Sequence, residues 1–216
     1  MLIIYDFTPR ITIFTDNITT LESLLIYAMK TITYQSDYLG NGFEFATINQ
    51  PDDYEGKVVA TVIRKQCSMP SNKAVLYVHG FNDYFFQSDM AHRFNEKEYH
   101  FYAIDLRKYG RSTLPHQKSN NMRSLTEYFA DLDEALDIIR QEGNEQVLLS
   151  GHSTGGLLVT LYASERVGNE KFDTIFCNSP FYDMNMPKYQ KRLLIPFVAF
   201  IGKLFPKMLV DRKSVV

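Results

Sequence analysis

The order of apolar and polar positions predicts strands and helices in regular alternation from about residue 70 onward. Short apolar runs, rich in β-branched or aromatic residues, are typical of strands buried on both faces; they span 74–78, 99–104, 146–149 and 174–177. Apolar residues at helical spacing fill the intervals, at about 84–95, 124–143 and 156–167. Strands separated by helices of this length predict βαβ units and a mainly parallel sheet.

Two sequences of the form Ser/Thr-x-x-Glu mark helix starts, because such a pair satisfies the free N–H groups of the first turn. Thr19 and Glu22 predict a short helix to about residue 32, while residues 1–17 give no clear prediction. Ser124 and Glu127 open the helix whose apolar face continues to Gly143.

The segment between these helices has the alternation of a half-exposed strand from Phe43 to Thr47. Residues 51–53 (Pro-Asp-Asp) predict a turn, and 57–67 predict a second strand. We expect the two strands to pair as an antiparallel hairpin, followed by another turn at 69–72.

Composition narrows the class of protein. The 216 residues suffice for one domain, or one domain and the start of another, and 45% of them are hydrophobic. A net charge of −2 without a basic face argues against a nucleic-acid partner and gives no attraction to an anionic membrane. Cys67 and Cys177 fit no metal or redox spacing and are predicted to be reduced thiols. We find no leader sequence, and the apolar stretch 193–210 is too interrupted by Pro and Lys to span a membrane, so we expect a cytoplasmic protein.

The strongest chemical signal is Gly151-His152-Ser153-Thr154-Gly155, which directly follows one predicted strand and leads into a helix. A serine hydroxyl is a weak nucleophile and must be presented to a base and a substrate together. A sharp strand-to-helix turn does this, and small residues on both sides let the chain make it. We therefore predict that Ser153 is a nucleophile; the alternative is an ordinary Gly/Ser turn.

A second signal, His79-Gly80-Phe81, follows the strand at 74–78. Acyl transfer needs two N–H donors aimed at the developing oxyanion. We predict that the backbone amides of Phe81 and Thr154 supply them, and that His79 itself has a structural role.

A third strand end carries Asp105 and the charged run to Ser112. Asp105 and Arg107 could act as a catalytic acid and a substrate clamp. The interpretation we prefer is a polar loop whose charges pair locally and brace the site, since the acid of such a triad follows the nucleophile in sequence.

Taken together, His79-Gly80-Phe81, the run from Asp105 to Ser112 and the motif around Ser153 resemble the α/β-hydrolases of the monoacylglycerol lipase, lysophospholipase and serine aminopeptidase S33 type. The resemblance covers roughly residues 42–210. It implies an α/β-hydrolase fold with helices on both faces of the sheet, no cofactor, no metal, and a Ser–His–Asp mechanism on a lipophilic ester. It also implies a cap inserted after the sixth strand of that fold. Residues 191–210 resemble the opening of such a cap.

The chain departs from this pattern after Ser153. The family order is nucleophile, acid, histidine, yet all five histidines precede Ser153. Asp183 and Asp211 follow it without the strand that usually presents the acid. We therefore expect impaired turnover, and we expect the sequence to be the N-terminal piece of a longer hydrolase that lacks the last strands. The expected domains are an extension with a short helix (1–40), a hydrolase core (41–183) and the start of a cap (184–216).

Several alternatives stay open. The strand at 174–177 would form an exposed sheet edge that allows two copies to associate, and the stretch 193–210 could cover this edge or itself drive dimerisation. The stretch 193–210 is either a lipophilic cap or a core-packing helix broken at Pro196 and Pro206. The function is either ester hydrolysis or non-catalytic binding of a ligand or partner, with peptidase or acyltransferase chemistry as a further enzymatic alternative. Haloalkane dehalogenases and epoxide hydrolases are weaker matches, because their nucleophile is an aspartate.

Overall fold

The structure is a computed structural model that describes residues 32–166, 168, 171–183 and 187–205. The helix predicted from the capping box at Thr19 and the unassigned residues 1–17 lie outside the described residues.

Seven strands and four α-helices make up the described part of the chain. The strands are β1 (Gln35–Ser36), β2 (Glu44–Asp53), β3 (Gly56–Lys65), β4 (Lys73–Val78), β5 (Tyr99–Asp105), β6 (Gln146–His152) and β7 (Thr174–Asn178). The helices are α1 (Ser88–Asn95), α2 (Phe129–Gln141), α3 (Thr154–Glu165) and α4 (Lys188–Leu204). Short 3₁₀ helices occupy Gly110–Ser112 and Leu125–Tyr128, the second leading directly into α2.

The strands form one mixed sheet in the order β1-β2-β3-β5-β4-β6-β7. β1, β2, β3 and β5 pair antiparallel with their neighbours, whereas β5, β4, β6 and β7 run parallel. The predicted hairpin is confirmed by the pairing of β2 with β3. The predicted parallel sheet is confirmed for the half of the sheet that begins at β5.

Both faces of the sheet carry a hydrophobic core, because successive side chains of a strand point to opposite faces. Along β4, Leu76 and Val78 pack with α2 and α3 on one face, while Val75 and Tyr77 pack with α1 on the other. β4 lies between β5 and β6, so its apolar side chains are at most 5% exposed. The predicted helices on both faces are therefore present.

Two predicted boundaries were wrong. Residues 51–53 form no turn, because β2 continues through Asp53 with an irregular register after Gln50, and the turn falls at Tyr54 and Glu55. Proline has no backbone N–H to donate to a neighbouring strand. β1 pairs only with the start of β2, so no neighbouring strand on that side requires a donor from Pro51. α1 begins at Ser88 rather than at about residue 84, because the N–H of Phe85 bonds a carboxylate oxygen of Asp105 (2.9 Å) instead of helical backbone.

The region around β7 and α4 is packed differently from the rest. β7 is the last strand of the described sheet, and Phe176 on it is 55% exposed. α4 runs unbroken through Pro196, and none of its residues is buried. The alternative of a core-packing helix broken at Pro196 was therefore wrong, whereas the expected break at Pro206 lies outside the described residues.

The carboxyl ends of β4, β5, β6 and β7 meet at one edge of the sheet because these strands are parallel. Polar groups that follow these strands gather there, as is general for open α/β sheets. The loops after β4, β6 and β7 contact one another directly at this edge, so the candidate functional residues that they carry lie close together.

Candidate active site

Ser153 occupies a strained turn between β6 and α3. Its backbone has φ +52° and ψ −117°, a conformation that non-glycine residues rarely adopt. The first turn of α3 closes on it, since the N–H groups of Gly156 and Leu157 donate to the Ser153 carbonyl (3.0 and 3.2 Å). The strain holds the side chain above the sheet at the N-terminus of a helix, the geometry that the sequence motif predicts.

Gly151 and Gly155 allow this turn because the chain crosses itself too closely for side chains. A Cβ on Gly151 would overlap the backbone of Gly155, and a Cβ on Gly155 would overlap the carbonyl oxygens of Val78 and His79. The second contact brings the start of α3 against the end of β4. The glycines therefore join the two loops that the sequence analysis assigned to one site.

The loop after β7 also holds the turn, which the sequence analysis did not foresee. The N–H of Ser153 donates to the carbonyl of Asn178 (3.1 Å), and the N–H of Phe181 donates to the carbonyl of Ser153 (2.9 Å). Pro180 packs on Gly156, where an added Cβ would lie 2.8 Å from the proline Cβ. The run Asn178-Ser179-Pro180-Phe181, directly after the predicted strand at 174–177, was the available signal.

The predicted oxyanion loop lies beside Ser153. A Cβ built on Gly80 would be 3.3 Å from the Cβ of Ser153, so backbone after β4 approaches the serine closely. Phe81 and Thr154 both line a small cavity of about 10 Å³, which is room for about one water molecule. The structure thus places Phe81 and Thr154 on one cavity, and it places Gly80 of the same loop against Ser153.

His79 is held by two hydrogen bonds and is buried. Its Nδ1 lies 2.8 Å from the carbonyl oxygen of Gly80, and its Nε2 accepts the N–H of Leu106 (3.2 Å). Burial lowers the pKa of His79, so the ring is neutral near pH 7. Because both nitrogens are occupied, the imidazole connects the loops after β4 and β5.

Asp105 is enclosed by the loop that follows it. Its carboxylate accepts the N–H groups of Phe85 and Arg111 (both 2.9 Å) and the Arg111 side chain (2.8 Å). Arg111 also binds Asp37 (2.7 and 3.0 Å). Burial alone would lower the pKa of Arg111, but these carboxylates outweigh it and raise that pKa. Asp105 therefore braces its own loop, as the preferred interpretation expected, and Asp37 is a partner that the sequence did not reveal.

Arg107 forms a second buried pair, with Asp131 of α2. Its backbone N–H and its guanidinium both bind the carboxylate, the shortest contact being 2.7 Å, and Asp131 is fully buried. This pair fixes the loop after β5 to α2. Arg107 is therefore engaged internally rather than directed at Ser153.

Ser153 has no histidine partner in the part of the chain that the structure describes. His79 is bonded as above, and the Nδ1 of His152 lies 3.2 Å from the Asn178 carbonyl. His92, His100 and His116 lie on α1, β5 and a loop near β3, and no hydrogen bond joins them to Ser153. The described residues thus contain the predicted nucleophile, Ser153, without a histidine that could act as its general base.

Comparison with known proteins agrees with this geometry. The sequence model of the family described as serine aminopeptidase, S33, matches residues 69–215, which is more than half of the chain. The chain belongs to this family. The family assignment inferred from the three motifs is thereby confirmed.

Relatives of this S33-family chain are hydrolases by name. Mouse (Mus musculus) epoxide hydrolase 4 is 34% identical over 90 residues, which cover 41% of this chain and 23% of that protein. A soluble variant of monoglyceride lipase from Saccharomyces cerevisiae has a TM-score of 0.55 at 18% identity, over 85% of this chain and 55% of that one. The α/β-hydrolase GrgF from Penicillium also has a TM-score of 0.55, at 15% identity over 77% and 57% of the two chains.

These structures show that the S33-family chain has the α/β-hydrolase fold, and the predicted fold class is confirmed. The chain spans somewhat more than half the length of these solved structures and about a quarter of the epoxide hydrolase. No helix among the described residues has the length and apolarity that crossing a membrane requires.

Proposed function

We propose that this chain carries the nucleophile and oxyanion hole of a serine hydrolase that cleaves carboxylic esters with a lipophilic acyl group. The observation that carries the proposal is the positive φ of Ser153 at the β6–α3 turn, with the loop of Gly80 against its Cβ. In this proposal the Ser153 hydroxyl lies beside the backbone amides of Phe81 and Thr154, and the support for it is that both residues line one small cavity next to the Gly80 loop.

In the proposed reaction, the Ser153 Oγ attacks the ester carbonyl carbon while a base takes the hydroxyl proton. The carbonyl oxygen becomes an oxyanion that accepts hydrogen bonds from Phe81 and Thr154, supported by the N-terminus of α3. Collapse expels the alcohol, which receives the proton from the base. Water then cleaves the acyl-enzyme by the same steps and releases the carboxylic acid.

The base is none of the five histidines of this chain, because those near the site are engaged elsewhere and none follows Ser153. We propose that the histidine and the acid come from polypeptide outside these 216 residues. General-base assistance contributes typically ~10²–10⁴-fold. The 216 residues alone should therefore cleave esters only slowly.

The choice of an ester substrate rests on the site and on its neighbours. Leu106, Leu125 and Leu158 line the small cavity beside Phe81 and Thr154, so the surroundings of the proposed oxyanion site are apolar. The yeast structure is a monoglyceride lipase in complex with a substrate analogue. Epoxide hydrolysis is less favoured in spite of the mouse relative, because such enzymes use an aspartate where this chain has Ser153. The family description leaves peptidase chemistry as the enzymatic alternative.

A fluorophosphonate probe tests the proposal, since it phosphonylates only a serine that is activated as a nucleophile. The protein would be expressed from its complete gene, labelled, digested and analysed by mass spectrometry. We expect the adduct on Ser153, its loss in Ser153→Ala, and unchanged labelling in Ser164→Ala, which removes an exposed hydroxyl of α3. An unlabelled Ser153 in the folded protein would overturn the proposal.

A second candidate is a non-catalytic module that binds a ligand in the same pocket. The absence of any histidine partner of Ser153 among the described residues favours it. It predicts that fatty-acid or ester analogues bind without turnover and that Ser153 stays unlabelled. Adduct formation at Ser153 would eliminate it.

A further inference from the structure

Side chains hold the loop after β4 that carries the predicted oxyanion donor Phe81. Among the described residues, none of the backbone–backbone hydrogen bonds of turns and loops involves residues 80–82. The Nδ1 of His79 lies 2.8 Å from the carbonyl oxygen that precedes Phe81. On the other side of Phe81, the Oδ1 of Asn82 accepts a hydrogen bond from the Nδ2 of Asn120 (3.0 Å). The direction of the Phe81 amide therefore depends on contacts made by side chains.

Asn82 and Asn120 share a backbone conformation that few residue types adopt. Their φ angles are +54° and +59°, in the left-handed region where asparagine and aspartate are enriched. A side-chain amide carries both N–H donors and a carbonyl acceptor, so the bond between them forms with either asparagine as the donor. An exchange of asparagine for aspartate therefore keeps the size and the backbone preference of these positions and changes only their hydrogen-bonding groups.

Asn120 is tied to the rest of the protein through its backbone. Its N–H donates to the carbonyl of Lys108 (3.0 Å), a residue that is only 1% exposed. The Lys108 ammonium forms ion pairs with Asp53 (2.6 Å) and Glu55 (2.8 Å) at the turn between β2 and β3. Burial alone would lower the pKa of Lys108, but the two carboxylates outweigh it and raise that pKa. Lys108 thus stays charged and fixed, and it holds the backbone of Asn120.

The turn between β2 and β3 holds the same segment at a second point. The Tyr54 hydroxyl donates to the carbonyl of Asn121 (3.0 Å). The guanidinium of Arg123 lies 3.7 Å from the centre of the Tyr54 ring, a cation–π contact. The segment that carries Asn120 is therefore fixed to the antiparallel part of the sheet, independently of the loop after β4.

We propose that Asn120 is a positioning residue of the candidate active site: its hydrogen bond to Asn82 holds the Phe81 amide in the direction that binds the oxyanion. The inference rests on the proposed function, since it gives Asn120 a part in ester cleavage without contact to the substrate. An N–H donor stabilises developing charge best when its direction is set before the reaction. Loss of the bond should therefore slow attack by Ser153 and leave ester binding unchanged.

Asparagine-to-aspartate exchanges test this bond in the protein expressed from its complete gene. The measurement is the second-order rate of Ser153 labelling by the fluorophosphonate probe, whose phosphoryl oxygen also gains negative charge during the attack. Asn82→Asp and Asn120→Asp each leave one amide donor opposite an acceptor, so each should label within about twofold of the unmodified chain. The double variant leaves two carboxylates facing each other and should label about tenfold more slowly or more, which exceeds the product of the single effects.

Asn72→Asp is the matched control. The Nδ2 of Asn72 donates to Glu145 (2.7 Å) just before β4 and β6, at the end of the sheet opposite Ser153. This exchange also brings two carboxylates together at an exposed pair, and its labelling rate should equal that of the unmodified chain.

The same variants separate positioning from a loss of folded protein. Labelling of Ser153 should reach completion in each of them, and the urea midpoints should agree, because the altered pairs are exposed. With an ester substrate, the double variant should have a lower kcat and an unchanged KM.

Three results would overturn the inference: a double variant whose loss is only the product of the single losses, a single variant as slow as the double, or an equal loss in Asn72→Asp. In each case Ser153 of the unmodified chain would still be labelled, and the proposed function would stand. An unmodified chain without label on Ser153 would overturn the proposed function and this inference together.

Discussion

β4 and β7 have similar sequences but different surroundings. Each is a short apolar run in the parallel half of the sheet, and each ends near Ser153. β4 lies between two strands and under helices on both faces, whereas β7 has a neighbour on one side and exposes Ile175 and Phe176. The comparison shows that an apolar run predicts a strand, while its burial depends on the elements that cover it.

The two long helices repeat this contrast. A complete capping box at Ser124 caps the short 3₁₀ helix that leads into α2, and α2 buries seven residues, among them Leu132 and Leu136. α4 has no side-chain cap and buries none. The well-packed part of the molecule therefore carries most of the core, whereas β7 and α4 present apolar surface to their environment, although the end of β7 and its loop also hold the Ser153 turn.

Removal of Asp131 should give the largest effect, because it leaves the buried charge of Arg107 without its partner. Asp131→Ala should lower the free energy of unfolding by about 3–5 kcal/mol, measured by urea denaturation. Asp183→Ala breaks an exposed pair with Lys191 at the start of α4 and should cost less than about 1 kcal/mol. Equal losses would contradict the contrast between the two halves.

Truncation of apolar side chains should give the next largest difference in stability between variants of the two parts. Leu76 of β4 is fully buried, so Leu76→Ala should cost about 2–5 kcal/mol through lost contacts and the cavity left behind. Leu193 of α4 is 74% exposed, and Leu193→Ala should stay within about 0.5 kcal/mol. The measurement is again the urea midpoint, and a large loss for Leu193→Ala would show that α4 packs on the core in solution.

The sequence was sufficient to predict the elements whose signals are local. The strands β4 to β7 are continuous apolar runs, and the box at Ser124 and Glu127 marks the start of the helix that follows. The motif around Ser153 carries its own geometry, because a glycine on each side is needed for the chain to turn there. Local patterns therefore predicted most of the fold and the placement of Ser153, Thr154 and Phe81.

Contacts between distant residues could not be predicted in this way. The pairing of Asp37 with Arg111 joins residues 74 positions apart, and only the folded sheet brings them together. The continuity of α4 through Pro196 was missed because proline usually ends a helix that packs in a core. In an exposed helix, water can hydrate the Arg192 carbonyl that the missing N–H leaves free, so the helix continues.

The pH dependence of stability should report the buried imidazole. Burial lowers the pKa of His79 in the folded state, whereas in the unfolded state it lies near 6.5. Below pH 6.5 the unfolded state therefore binds the proton first, and the free energy of unfolding should fall as pH falls, by at most about 1.4 kcal/mol per pH unit for one group. Denaturant midpoints measured from pH 7.5 downward give the slope.

His79→Gln should remove this contribution to the pH dependence of the free energy of unfolding. The variant should therefore be less stable than the unmodified chain above pH 6.5, and the difference should shrink below pH 6.5. His116 provides the control, because it is exposed and its ring lies at hydrogen-bond distance from the Lys57 carbonyl (3.1 Å) on the surface. His116→Gln should leave the slope unchanged. A slope that survives His79→Gln would assign the titration to another group.

The smallest effect concerns the starts of the two helices. The Ser124 hydroxyl accepts the Thr126 N–H (3.2 Å), and Glu127 accepts the Ser124 N–H (3.0 Å), so Ser124→Ala removes half of the box at the entrance to α2. We expect a loss of about 1 kcal/mol by urea denaturation. Gln190→Ala, at the uncapped start of α4, should change global stability by less than about 0.5 kcal/mol. Because α2 packs on the sheet and α4 does not, a cap on α2 stabilises the whole molecule. Equal effects at the two positions would mean that α4 folds cooperatively with the core.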